Sequence, residues 1–161
     1  MFFRFLSIIF ISFFSFNANC QYEAITKLPI PEKFDGMRKI TAISSSPNPN
    51  FPEFENDEQE GIVWKHETTI SAPEDLKIVE TGAYLLNNGT WWLRASFKPK
   101  ATKKMFATKS LKLVKGQSIT FENNNRYGSH TQTGFNFWYC IAKDANGDFI
   151  YSYEILETTG K

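Results

Sequence analysis

Seven residues carry the chemistry this sequence offers: Trp92, Arg94, Lys98, Arg126, Tyr127, His130 and Trp138. The chemistry is recognition. An indole ring on a sheet stacks on a sugar or anchors a protein partner, because it offers a rigid apolar face with a polar tip. Guanidinium, ammonium and imidazole groups meet anionic or polar ligands. Arg126, Tyr127 and His130 fall in the polar run 123–134, which is long for a connector and so is a candidate binding loop. Bond-breaking chemistry has less support. Glu67, Glu80, Glu122 and Glu154 are scattered, with no spacing that pairs two carboxylates for glycoside hydrolysis, and no nucleophile motif is present. No catalytic residue and no cofactor is predicted.

Metal binding is tested by the same logic. His66 and His130 are the two histidines, and after signal cleavage Cys140 is the sole thiol. The run Lys115-Gly116-Gln117-Ser118-Ile119-Thr120-Phe121 resembles the glycine-containing strand pair of the cupredoxins. That resemblance implies a copper-binding β-sandwich with a His and usually a Met soon after the cysteine. Cys140 is followed instead by Ile141-Ala142-Lys143-Asp144-Ala145, so the ligands fail. Asp144-Ala145-Asn146-Gly147-Asp148 mimics the start of a calcium loop. Phe149 stands where its sharp-turn glycine belongs and Ile155 where its bidentate Glu belongs, so the run reads as a hairpin turn. No metal site is predicted.

Two hairpins position the candidate residues. Asn88-Gly89 favours a type I′ turn, since both residues tolerate positive φ. Leu86 then faces Trp91, Leu85 faces Trp92 and Tyr84 faces Leu93. Strict alternation puts Trp91, Leu93, Ala95 and Phe97 on a core face, and Trp92, Arg94, Ser96 and Lys98 on a wet one. The second hairpin joins Phe135–Ala142 to Phe149–Leu156. A bulged loop with Gly147 lets Phe137, Tyr139 and Ile141 share a face with Phe149, Tyr151, Tyr153 and Ile155. A one-residue slip flips every side chain, so the register that buries the aromatics is chosen. Trp138, Cys140, Ile150, Ser152 and Glu154 are then expected on the outer face. Further strands are read at 62–72, 76–80, around Leu111 and Leu113, and around Ile119 and Phe121.

Short β-branched and aromatic runs separated by turn signals predict an all-β fold. The expected architecture is a two-sheet antiparallel sandwich of about seven strands, with immunoglobulin-like and jelly-roll topologies both open. Residues 1–20 read as a signal peptide: Arg4, an apolar run from Phe5 to Phe16, then Ala18 and Cys20 at −3 and −1. Acylation of Cys20 is the alternative, although Asn17 and Asn19 fit a lipoprotein site poorly. Cleavage leaves no membrane span and leaves Cys140 without a disulfide partner. Residues 21–60 read as an extension with a Pro-, Ser-, Asn- and acid-rich linker over 43–60, and residues 61–161 as the sandwich domain.

The whole chain is close to neutral, which gives no sign of a nucleic-acid partner, but its charge is segregated. Residues 81–121 hold eight bases and no acid; residues 21–80 hold twelve acids against six bases. Lys103, Lys104, Lys109, Lys112 and Lys115 are therefore candidates for a polyanion. Asn88-Gly89-Thr90 is a glycosylation sequon, used only in a eukaryotic secretory pathway. The sequence thus points to an exported, non-catalytic module, secreted or periplasmic, that binds a glycan, surface polymer or protein. A structural subunit of an envelope or extracellular complex is the alternative, and a carboxylate hydrolase a third.

Overall fold

The computed structural model describes residues 22–54, 61–128, 131 and 133–160. The signal-peptide segment, the acidic run 55–60 and His130 lie outside the described residues. The chain divides into two units, Met1–Ile30 and Pro31–Lys161. In the first, residues 22–26 are helical, and Lys27 pairs with Glu23 at 2.9 Å.

The second unit is mostly β. Its strands are β1 (Arg38–Lys39), β2 (Ile43–Ser46), β3 (Glu53–Phe54), β4 (Ile62–Trp64), β5 (Glu67–Ser71), β6 (Leu76–Asn87), β7 (Thr90–Phe97), β8 (Lys112–Leu113), β9 (Ser118–Phe121), β10 (Arg126–Gly128), β11 (Gly134–Asp144) and β12 (Phe149–Thr158). Seven of these span four residues or more, the number the turn spacing leads one to expect. The largest sheet runs β1-β12-β11-β6-β7, with β8 added beside β6; β2-β5-β9 and β10-β4-β3 are three-stranded. Among the described residues every strand pairing is antiparallel except β1 with β12, and an isolated bridge between Asn50 and Thr158 is also parallel.

Both hairpin registers are as read. Leu86 faces Trp91, Leu85 faces Trp92 and Tyr84 faces Leu93, with Asn88 and Gly89 at positive φ. Tyr139 faces Tyr153 and Ile141 faces Tyr151, with Gly147 at φ 89°. Two expectations about faces fail. The face holding Cys140, Ile150 and Ser152 is not outer: all three are buried, and Cys140, Ala142 and Ile150 pack with Ile43, Ile70, Ile78, Phe106 and Leu113 in the main core. The opposite, aromatic face is buried as well, beneath Phe34. A central strand covered on both faces reads as a continuous apolar run, and Phe135–Ala142 is close to one. The second failure is in β7. The register shifts opposite Ala83 and Tyr84, because Ala83 pairs with Ala95 and Tyr84 with Leu93. Arg94 is the extra residue of a bulge, so Ala95 and Phe97 lie on the face opposite to Trp91 and Leu93.

The segment read as linker is built into the fold over residues 43–54. β2 pairs with β5, and β3 with β4. Asn50 is buried; its N–H donates to the Glu157 carbonyl at 2.8 Å, and its own carbonyl accepts from the Thr159 N–H at 2.8 Å. Asn48 donates to the Ile155 carbonyl at 2.9 Å and accepts from the Glu157 N–H at 3.1 Å. Composition misleads here because hydrogen bonds from amides hold the segment as well as the burial of Ile43. A short helix, α1 (Pro99–Met105), also goes unread in the sequence. Pro99 opens it with a preset φ, and Lys103 and Lys104 suit its C-terminal turn.

Candidate functional site

Ala83 on β6 lies between Ala95 on β7 and Trp138 on β11 in one cross-strand row. Two methyl-sized side chains beside an indole leave a hollow in the sheet surface. The hollow is a cavity of ≈ 320 Å³, walled by Trp138, Phe97, Phe121 and Met105 and edged by Arg94, Arg126, His66, Asn124, Asn125 and Asn136. Six elements, the turn before β10 and the β4–β5 link that carries His66 supply these groups. The bulge that misplaces Ala95 and Phe97 in a simple alternation is what turns both toward this hollow.

The polar edge is held in place by the protein itself. The Asn124 N–H donates to the His66 carbonyl at 3.1 Å, and its side-chain amide donates to Thr68 Oγ1 at 2.7 Å. Arg126 lies over the Trp64 ring at 5.2 Å and donates from Nη1 to Thr158 Oγ1 at 2.5 Å. A Cβ at Gly134 would stand 2.9 Å from that same nitrogen, so glycine leaves the guanidinium its place. Burial, and then the charge of Arg94, push the Arg126 pKa below the usual guanidinium range. A more polar depression of ≈ 410 Å³, lined by Trp92, Leu85, Gly134 and Phe135, adjoins the cavity through Arg126, which borders both.

His66 is the least expected member. It is only 6% exposed, and its Nδ1 lies 3.4 Å from both Asn50 Nδ2 and the Trp64 carbonyl oxygen. Its Nε2 is buried without a partner. Burial lowers its pKa to about 4, so the ring is neutral near pH 7. The linkage follows in sign. The unfolded imidazole takes up a proton near pH 6.5 while the folded one stays neutral, so stability falls as pH drops from 6.5 toward 4. Burial raises the Glu154 and Glu157 carboxyls, which act in the opposite sense, favouring the fold at low pH and losing that effect as pH rises. Urea unfolding at pH 7 and pH 5 should therefore show a His66 contribution of about 2 kcal/mol. His66→Gln should lose that much less stability over the interval than the parent; equal losses would mean that His66 is not held neutral by the fold.

Of the sequence-predicted residues, Arg94, Arg126 and Trp138 meet at the cavity, and Trp92 lies in the adjoining depression. Trp138 is half-buried against the core, not displayed on an outer face. Trp92 is 61% exposed. Tyr127 is 64% exposed, and alternation along β10 turns it away from Arg126. Lys98 is exposed and precedes α1, its carbonyl accepting the Thr102 N–H at 3.0 Å; it does not line the cavity. His130 lies outside the described residues. His66, Asn124, Asn125 and Asn136 were not legible as site residues. Asn124 and Asn125 do fall in the polar run 123–134, the candidate binding loop, but its chemistry points to Arg126, Tyr127 and His130.

Cys140 is buried, and burial pushes its thiol pKa up to about 12, so it packs as a small apolar group. Among the described residues, no group of three or more His, Cys, Asp or Glu could hold a metal ion, and no helix is long and apolar enough to cross a membrane.

No protein-family description matches the chain, and no curated protein does. Among solved structures, it is similar to the sporulation control protein Spo0M from Bacillus subtilis, with 10% identity and a TM-score of 0.28. The match covers 76% of this chain and 51% of that one, so the chain spans about half the length of the protein it matches. A likeness this slight carries no functional argument.

Proposed function

We propose that the chain is an exported, non-catalytic module that binds a glycan in the cavity beside Trp138. One observation carries this reading: an indole wall faces a rim of amides and guanidiniums across a hollow of ≈ 320 Å³. A sugar ring offers C–H faces to an aromatic surface and hydroxyls to amide groups, and this lining supplies both. Export rests on the Arg4 charge, the apolar run to Phe16 and the small residues Ala18 and Cys20.

A panel of neutral and acidic oligosaccharides, screened by thermal shift, tests the reading. A ligand at about 100 times its Kd stabilises the fold by roughly 2.7 kcal/mol, a rise of several degrees. Asn125 lines the cavity from a turn and is half-buried. Asn125→Ala should weaken the best binder by about tenfold while leaving the unliganded midpoint within about 1 °C. Undiminished binding would take the ligand out of the cavity.

A second reading has its own support. β7 is an edge strand of the largest sheet and carries Trp92 at 61% and Leu93 at 54% exposure. An apolar edge of this kind suits an assembly partner. Size-exclusion chromatography separates the two readings: an assembly subunit elutes as an oligomer that Trp92→Lys disperses, and a binding module elutes as a monomer.

A further inference from the structure

Two guanidiniums, those of Arg94 and Arg126, line the cavity, and no described acid lines it with them. Neither guanidinium takes part in the ion pairs of the described residues, which engage Lys27, Lys33, Arg38 and Lys65. Arg126 donates to a neutral hydroxyl and feels the repulsion of Arg94. Two like charges held near one another at a hollow are unfavourable until an anion comes between them. His66, which also lines the cavity, has a buried Nε2 with no hydrogen-bond partner.

The surroundings continue the pattern. Met105 of α1 walls the cavity, while Lys103 and Pro99 of the same seven-residue helix line a second cleft of ≈ 370 Å³ with Lys77, Lys109 and Lys112. That cleft also has no acid in its lining. Lys77 is directly opposite Lys112 on β8 and Lys143 on β11, so three lysines lie side by side across three strands. Like charges directly opposite each other destabilise a sheet. Alternation along β11 puts Lys143, and with it this row, on the sheet face opposite to Trp138.

We propose that the ligand is an acidic polysaccharide. One carboxylate sits between Arg94 and Arg126 with its sugar ring against Trp138. This rests on the glycan-binding reading above and narrows it to a substrate class.

The test is calorimetric titration of the full chain with oligomers of galacturonate, of mannuronate and of hyaluronan, each beside its methyl ester, at about 50 mM salt. The ester keeps the sugar and removes the charge. At least one acid form should bind about tenfold or more tightly than its ester, an advantage that shrinks with added salt. Arg94→Gln, at an exposed bulge, should abolish most of the acid form's advantage over the ester. Lys103→Gln with Lys112→Gln, away from the cavity, should leave that advantage in place. Equal binding of acid and ester would overturn the acidic class and leave the glycan reading standing. An acid preference that survives Arg94→Gln and disappears with the two lysines would overturn placement in the cavity. Equal affinity for a mixed-sequence oligonucleotide would reduce the effect to general polyanion attraction and overturn it too. No binding of any sugar form would overturn both readings.

Discussion

Phe34→Ala is expected to destabilise the fold by about 4 kcal/mol in urea unfolding. Phe34 is 1% exposed, in a short 3-10 turn at Glu32–Phe34, and its ring meets four others. Tyr151 is stacked at 4.9 Å and Phe137 at 5.7 Å, while Tyr139 and Tyr84 meet it edge-on at 5.3 and 6.3 Å. Removing the ring opens a cavity between strands that cannot close around it, so the transfer loss and the cavity cost add. The aromatic pairs contribute beyond area alone. A loss below about 1 kcal/mol would mean that residues 31–36 merely drape over the sheet, and that the aromatic face is an exposed surface after all.

Gly82→Ala is expected to cost about 3 kcal/mol, for a different physical reason. A Cβ at Gly82 would stand 2.4 Å from the Ala95 carbonyl oxygen and 2.5 Å from the Tyr139 hydroxyl. Neither neighbour yields easily. The first is backbone of the adjacent strand. The second is fixed by its bond to Glu80 at 2.6 Å, in a cluster where Lys33 and Ser96 also donate to that carboxylate. Burial alone would raise the Glu80 carboxyl, but those donors outweigh it and hold it below the usual range. The glycine therefore lets a tyrosine lie across a neighbouring strand to reach a half-buried carboxylate. In a Tyr139→Phe background, the hydroxyl clash goes, but the clashes with ring carbon Cζ at 2.6 Å and with the backbone stay. Thermal or urea midpoints should then show only partial relief of the Gly82→Ala penalty. Full relief would mean that the sheet opens freely at Ala95.

The fold class and both hairpin registers were legible because turn chemistry and alternation are local. Asn88-Gly89 and Gly147 set the loops, and the rings from Phe137 to Ile155 set the register. What covers a face is not local. Nothing near Trp138 or Cys140 in sequence announces that β2 and β5 lie over one side and Phe34 over the other. The site was half legible for the same reason. Arg94, Arg126 and Trp138 stand out by type. His66 becomes a cavity residue only through the meeting of β4, β5 and the Asn124 turn, and Ala83 and Ala95 matter for being small. The Arg94 bulge turns on one extra residue, which no composition pattern reveals.

The most direct measurement follows the indole N–H resonances of the four tryptophans by NMR while the best binder of the oligosaccharide panel is added. If the cavity is the binding site, Trp138 shifts most, accompanied by the backbone amides of Ala95, Asn125 and Arg126, while Trp64 stays nearly still beneath Arg126. Movement of Trp92 and Leu93 with Trp138 unchanged would put the ligand on the β7 edge and contradict a glycan site in the cavity.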